Sequence, residues 1–237
     1  RLNTNSNFDF FHNLFKLYED AIQGKRNHPT YSDNALGITA LLYCPLKYHY
    51  RQSDFHTNQY SSLEILDGFD FEHTIKSILQ DHYGAIDEFV VEYEYNGTKI
   101  EGHLDVYVPT LNVALELKNM RLVKAKMLPA DTIVFNPEEY GIELTQSYLK
   151  QAGIQKTLLD YHTNKTNQVF LVVKTTLIDP SMKAKKVIII TQPPAVPLED
   201  INTLIEAFHN EKKPRYPWEC KLCPYTSMCK NAANLLK

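Results

Sequence analysis

Cysteine spacing constrains this chain more than any other feature. Three of its four cysteines stand in Cys220-x2-Cys223-x5-Cys229, and the fourth, Cys44, lies near the opposite end. One inorganic centre holding all four thiolates would tie two distant stretches of chain together. Two disulfides are the rival arrangement. A chain of 237 residues with 43% hydrophobic content buries a sizeable core without them. Two thiols three positions apart also share a metal more readily than they form two separate long-range bridges. The expectation is therefore a metal-type centre in a reducing, cytoplasmic setting. No secretory leader is legible, although the chain opens at Arg1 rather than methionine. Apolar runs such as 169–173 and 187–190 are strand-sized, so no membrane partner is expected.

Hydrophobic periodicity maps the rest. Phe11, Leu14, Phe15, Tyr18 and Ile22 recur on one helical face, which predicts a helix over 8–23. A short helix leads into Cys44, and Pro45 ends or redirects it. A longer helix is predicted over 61–83, with Ser62 as a cap and Gly84 as a stop. The period then changes to two. Segments 89–95 and 98–108 flank Asn96-Gly97, a strong hairpin signal, and a third strand follows at 113–119. Helices at 139–161 and 198–209 and strands at 169–174 and 185–191 complete the map. This alternation predicts a mixed α/β fold, with helices flanking a central sheet. Three regions are expected within one cooperative domain. Residues 1–84 form a helical part with the first cysteine, 85–195 the core, and 196–237 a helix and the cysteine tail.

The hairpin carries chemistry. On 98–108, Ile100, Gly102, Leu104 and Val106 are expected on one face, and Glu101, His103, Asp105 and Tyr107 on the other. On the next strand Glu116 and Lys118 point one way, Leu115 and Leu117 the other. A four-residue loop at 109–112 pairs Val108 with Val113 and sets Asp105 across from Glu116. Opposed carboxylates repel at roughly 5 Å between Cβ atoms. A hard divalent cation between them reverses that penalty, and Mg²⁺ or Mn²⁺ prefers oxygen ligands. The bland alternative is an edge strand with a solvated charged face and an ordinary ion pair.

Gly102-His-Leu-Asp105 followed by Glu116-Leu-Lys118 resembles the core of PD-(D/E)xK nucleases. Adding one early cysteine and the late trio narrows the likeness to RecB-like exonucleases with an iron–sulfur cluster. Those are the fourth CRISPR-associated protein family, the AddB nuclease domain and their relatives. The resemblance runs from about Cys44 to Cys229 and fits a stand-alone CRISPR-associated member, virus-borne copies included. It implies a restriction-endonuclease-like core in which Asp105, Glu116 and the Leu117 carbonyl ligate Mn²⁺ or Mg²⁺. Lys118 would then orient or deprotonate the attacking water. His73 is the expected helix ligand, with Glu72 competing, because His73 lies one residue further from Gly68 than the family spacing. An imidazole ligand would favour Mn²⁺. His103 reads as a neighbour of the site rather than a ligand.

The resemblance further implies a 4Fe-4S cluster on Cys44, Cys220, Cys223 and Cys229, clamping the tail to the N-terminal helices. Structural zinc is the rival, although zinc sites usually read as paired Cys-x2-Cys knuckles. Family members carry Gln-x3-Tyr on the helix after the active-site strand. Here Gln151-Ala-Gly-Ile-Gln155 lacks the tyrosine, and Tyr148 one turn earlier shares the face of Gln151. Tyr148 and Gln151 are thus the expected DNA contacts. Net charge is −3, so affinity for nucleic acid needs a local patch. Two basic stretches offer one: Lys118, Arg121, Lys124 and Lys126, and a tail that mixes Lys212, Lys213 and Arg215 with Tyr216 and Trp218. Trp218 and Tyr225 serve equally well, on sequence grounds, as shields for the cysteine centre. The implied activity is exonucleolytic hydrolysis of single-stranded DNA, trimming fragments for a CRISPR integrase partner; a homo-oligomer is compatible. A non-catalytic DNA-binding scaffold of the same fold and a zinc-stabilised adaptor are the alternatives from other classes.

Overall fold

Period-two segments become strands of one seven-stranded mixed sheet in the computed structural model. The structure describes residues 35–52 and 62–211, with 213–216, 218–220, 223, 225 and 229 of the tail. The helix expected over 8–23 lies outside them. β2 (Ile86–Tyr95) and β3 (Thr98–Val108) form the hairpin. Asn96 and Gly97 close it with φ of 49° and 76°. Two successive positive φ values match the strand twist, and an Asn-Gly pair reaches them at little cost. β4 (Val113–Lys124) returns antiparallel in the expected register, Val108 opposite Val113 and Val106 opposite Leu115. β6 (Gln168–Ile178) lies parallel to β4, and β7 (Ala184–Thr191) antiparallel to β6. Two strands of two residues each escape periodicity analysis. β1 (Leu36–Gly37) pairs with Ile100 and Glu101, and β5 (Ile133–Val134) pairs with β7.

Among the described residues five α-helices cover the sheet: α1 (Ile38–Leu42), α2 (Pro45–Gln52), α3 (Ser62–Tyr83), α4 (Gln146–Thr163) and α5 (Leu198–Asn210). Pro45 opens α2, where a missing N–H costs nothing, so Cys44 is left in the joint between α1 and α2. The helix expected from 139 starts later. Gly141 takes a left-handed φ of 61° and ends a 3₁₀ turn over Pro137–Tyr140, and Thr145 is extended before α4 begins. Phe71 of α3 packs with Val106, Val108, Leu117 and Val172 against one part of the sheet. A larger core holds Leu41 of α1, Ile154 and Leu158 of α4 and Ile205 of α5 with Ile100, Leu104 and Tyr107.

That partition corrects the expected pleat of β3. Tyr107 shares a core with Ile100 and Leu104, whereas Val106 and Val108 face α3. The alternation therefore reverses at Asp105. Its pairing with β2 is skipped there, and the opposite residue, Glu88, has a φ of 49°. Among the described residues no helix is long and apolar enough to cross a membrane.

Candidate active site

Asp105 lies where the sheet splits. β2 occupies one edge of β3 along most of its length. On the other edge β4 pairs only as far as Val106, and β1 pairs further along, at Ile100 and Glu101. Between them β3 and β4 part. Asp105 fills the gap by accepting the Leu117 N–H on Oδ2 at 2.6 Å, so a side chain replaces the missing ladder bond. Gly102 permits this arrangement for a steric reason. A Cβ there would lie 2.5 Å from Ile38 Cδ1 and 3.0 Å from Val91 Cγ2, so both side chains would have to shift for α1 to sit as close to β3 beside the split.

Glu116 is 1% exposed and accepts three hydrogen bonds, one from each of three side chains. Lys118 Nζ and Gln151 Nε2 (2.7 Å) donate to Oε1, and Gln155 Nε2 donates to Oε2 at 2.6 Å. Gln155 also donates to the His103 carbonyl at 3.0 Å, which bridges β3 and β4 across the split. Both glutamines sit one turn apart on α4, so one helix face holds the carboxylate. Lys118 Nζ lies 5.7 Å from the centroid of the Tyr148 ring. Of the expected site residues, Asp105, Glu116, Lys118, Tyr148 and Gln151 are thus brought together.

Electrostatics here set two buried acids against one base. Burial first, then the Glu116 carboxylate, pushes the Asp105 carboxyl up to about 8; Lys118 offsets only part of this. Burial works against the Lys118 ammonium, yet Glu116 and Asp105 hold its pKa above the ordinary lysine value. One ammonium therefore faces the Glu116 carboxylate and an Asp105 carboxyl group that keeps its proton to about pH 8. A divalent ion would satisfy this oxygen-rich set, with Asp105, Glu116 and the Leu117 carbonyl as donors.

Helix α3 presents Glu72, and not His73, to the carboxylates. His73 is exposed. Glu72 raises the Asp105 pKa through space and forms a 2.6 Å ion pair with Lys76. One residue is about 100° of helical turn, enough to swing the imidazole into solvent. Lys76, which sequence reasoning missed, is 8% exposed and also pairs with Asp87 at 2.7 Å. It ties α3 to β2 where the pleat reverses.

A second constellation gathers all four cysteines. Cys44, Cys220, Cys223 and Cys229 line one pocket with Leu46 and Tyr50, and none is in a disulfide. Burial, then Cys44, Cys223 and Cys229, raises the Cys220 thiol pKa, the mark of thiols crowded together. Among the described residues no three His, Cys, Asp or Glu side chains are grouped closely enough to hold a metal ion, at the thiol pocket or at the carboxylates. Tyr225 is buried and packs against Tyr50 at 5.6 Å, so it shields this pocket. Trp218 does not line it.

Glu219 is the residue here that sequence reasoning overlooked, although it abuts Cys220. Buried at 6% exposure, it accepts the backbone N–H groups of Cys44 (2.7 Å), Arg215 and Tyr216 (both 2.8 Å). One carboxylate thus fastens the tail to the α1–α2 joint. Glu219→Ala removes three charge-assisted bonds and is expected to lower stability by about 3 kcal/mol, read as a shifted urea midpoint with an unchanged slope.

Arg121 and Lys124 of β4, and Lys126 just past its end, have exposed side chains. No protein-family model and no curated protein matches the chain. Among solved structures, the crystal structure of SSO0001 superposes with a TM-score of 0.60 at 20% identity, covering 92% of this chain and 96% of that one. A protein from Eubacterium rectale, provisionally named an exonuclease, gives 0.46 at 11% identity over 84% and 92%. An alkaline exonuclease from Laribacter hongkongensis gives 0.38 at 13% over 85% and 95%. The first of these likenesses shows a shared α/β fold spanning nearly the whole of both chains.

Proposed function

We propose that the chain is a metal-dependent deoxyribonuclease that digests single-stranded DNA from its ends. One observation carries the reading: two carboxyl groups and an ammonium meet, buried, where β3 and β4 part. Such a cluster is costly to a fold unless it serves a charge-handling purpose.

Asp105, Glu116 and the Leu117 carbonyl would hold Mn²⁺ or Mg²⁺. When bound, the ion would lower the pKa of water and stabilise charge building on the phosphate. Lys118 would orient the attacking water and neutralise the developing charge. Tyr148 under its ammonium, and Gln151 and Gln155 on Glu116, would keep both groups aimed before substrate arrives. The four cysteines lining one pocket would hold the iron–sulfur cluster that the sequence resemblance implies. In this reading it is structural, and the CRISPR setting, with DNA trimmed ahead of an integrase, follows the sequence resemblance.

Purified protein with its cofactor intact, given DNA labelled at either terminus, should shorten single strands progressively with Mn²⁺ and stop on chelation. No digestion by such protein, under any divalent ion, would remove the proposal. The helix ligand has its own test. His73→Ala should leave the manganese dependence of cleavage within about twofold, as an exposed residue does. Glu72→Gln should weaken it about tenfold, the size expected for a group acting on metal ligands.

A further inference from the structure

The aromatic pair Tyr216 and Trp218 lies outside both the catalytic split and the thiol pocket. Their rings stack at 5.6 Å with planes only 12° apart. Tyr43 meets both edge-on, at 6.2 and 6.1 Å. Trp218 is nevertheless 42% exposed, while Tyr225, the other aromatic candidate for shielding the cysteines, is buried. An indole stacked on one neighbour and open to solvent offers a flat surface without filling a core. One cation borders it: Lys47 Nζ stands 5.8 Å from the Tyr43 ring centroid. Lys213, earlier in the same tail, is exposed and lies 3.9 Å from Glu211.

The platform is joined by contacts to the candidate active site. Tyr43 donates its hydroxyl to Ser147 Oγ at 2.9 Å. Ser147 lies in the first turn of α4, and the next residue, Tyr148, lies beneath Lys118. Trp218, Tyr216, Tyr43 and the start of α4 therefore form a chain of contacts, buried at Ser147, that leads toward the lysine.

We propose that Trp218, stacked on Tyr216, is a platform for the bases of single-stranded DNA on its way to the Lys118 centre. This rests on the nuclease reading for its direction and on the aromatic geometry for its existence. Unpaired bases present π-faces that stack on an indole regardless of sequence, while Lys47 would attend the phosphates. Duplex DNA hides those faces, so the platform selects single strands.

The test compares two labelled strands of equal length and charge, oligothymidylate and its abasic counterpart, by fluorescence anisotropy without added divalent metal. Wild-type protein should prefer the base-bearing strand by about tenfold. Trp218→Leu, which keeps an apolar group there, should lose that preference without changing affinity for the abasic strand. Trp218→Phe should retain most of it. Equal binding of the two strands by wild type overturns the proposal, whether or not the variants fold. So does an undiminished preference in Trp218→Leu. Cleavage is scored separately: digestion without base preference leaves the nuclease and removes the platform, and base preference without digestion does the reverse.

Discussion

Glu116→Gln should reduce DNA cleavage by at least about a thousandfold while the protein stays folded. The substitution keeps the volume of a side chain that is 1% exposed, so no cavity opens. What changes is charge. The Lys118 ammonium loses the carboxylate it contacts, and the proposed metal loses an anionic donor. Gln151 and Gln155 both donate to Glu116, and a neutral amide can accept from one while presenting its own N–H to the other. That mismatch costs about 1–2 kcal/mol, too little to unfold a domain of this size. Lys118→Ala should be equally inactive for the opposite reason, since it leaves Asp105 and Glu116 without their ammonium. Single-turnover digestion beside a thermal melt decides the matter. Undiminished cleavage in both variants, each melting normally, would mean that the chemistry lies elsewhere.

Cys220→Ser should bleach the visible absorption of a thiolate-bound iron centre and lower the melting temperature by ~10–20 °C. The size follows from chain entropy. A centre shared by Cys44 and the tail closes a loop of more than a hundred residues, worth roughly 5 kcal/mol by the loop-closure relation. For a protein of this length each kcal/mol moves the melting temperature by about 2–4 °C. The Glu219 bonds to Cys44, Arg215 and Tyr216 would outlast the substitution, so the tail loses one fastening and keeps another. Colourless wild-type protein whose melting point ignores Cys220→Ser would exclude a shared centre.

Sequence patterns revealed the strands of the candidate site because hairpin register is a short-range property. Asn96-Gly97 and the loop at 109–112 fix which residues oppose one another, and Val108 does pair with Val113. The cysteine grouping was legible for a different reason: thiols at such spacing have few other uses. Features set by three-dimensional crowding were not legible. The pleat reversal at Asp105 depends on Glu88 of the neighbouring strand adopting a positive φ, which no residue type announces. Whether Glu72 or His73 faces the strands turns on the rotation of α3, and Lys76 helps set that by pairing with Asp87. Gln155 and Glu219 look ordinary in sequence because their partners lie far along the chain, at Glu116 and Cys44.

Helix α1 has a role larger than its five residues suggest. Ile38 at its start presses into the notch at Gly102, three positions from Asp105, and its far end runs directly into Cys44. A helix so short is a stiff strut, spanning roughly 7.5 Å. The same five residues thus brace the strand that carries Asp105 and set where the first cysteine emerges.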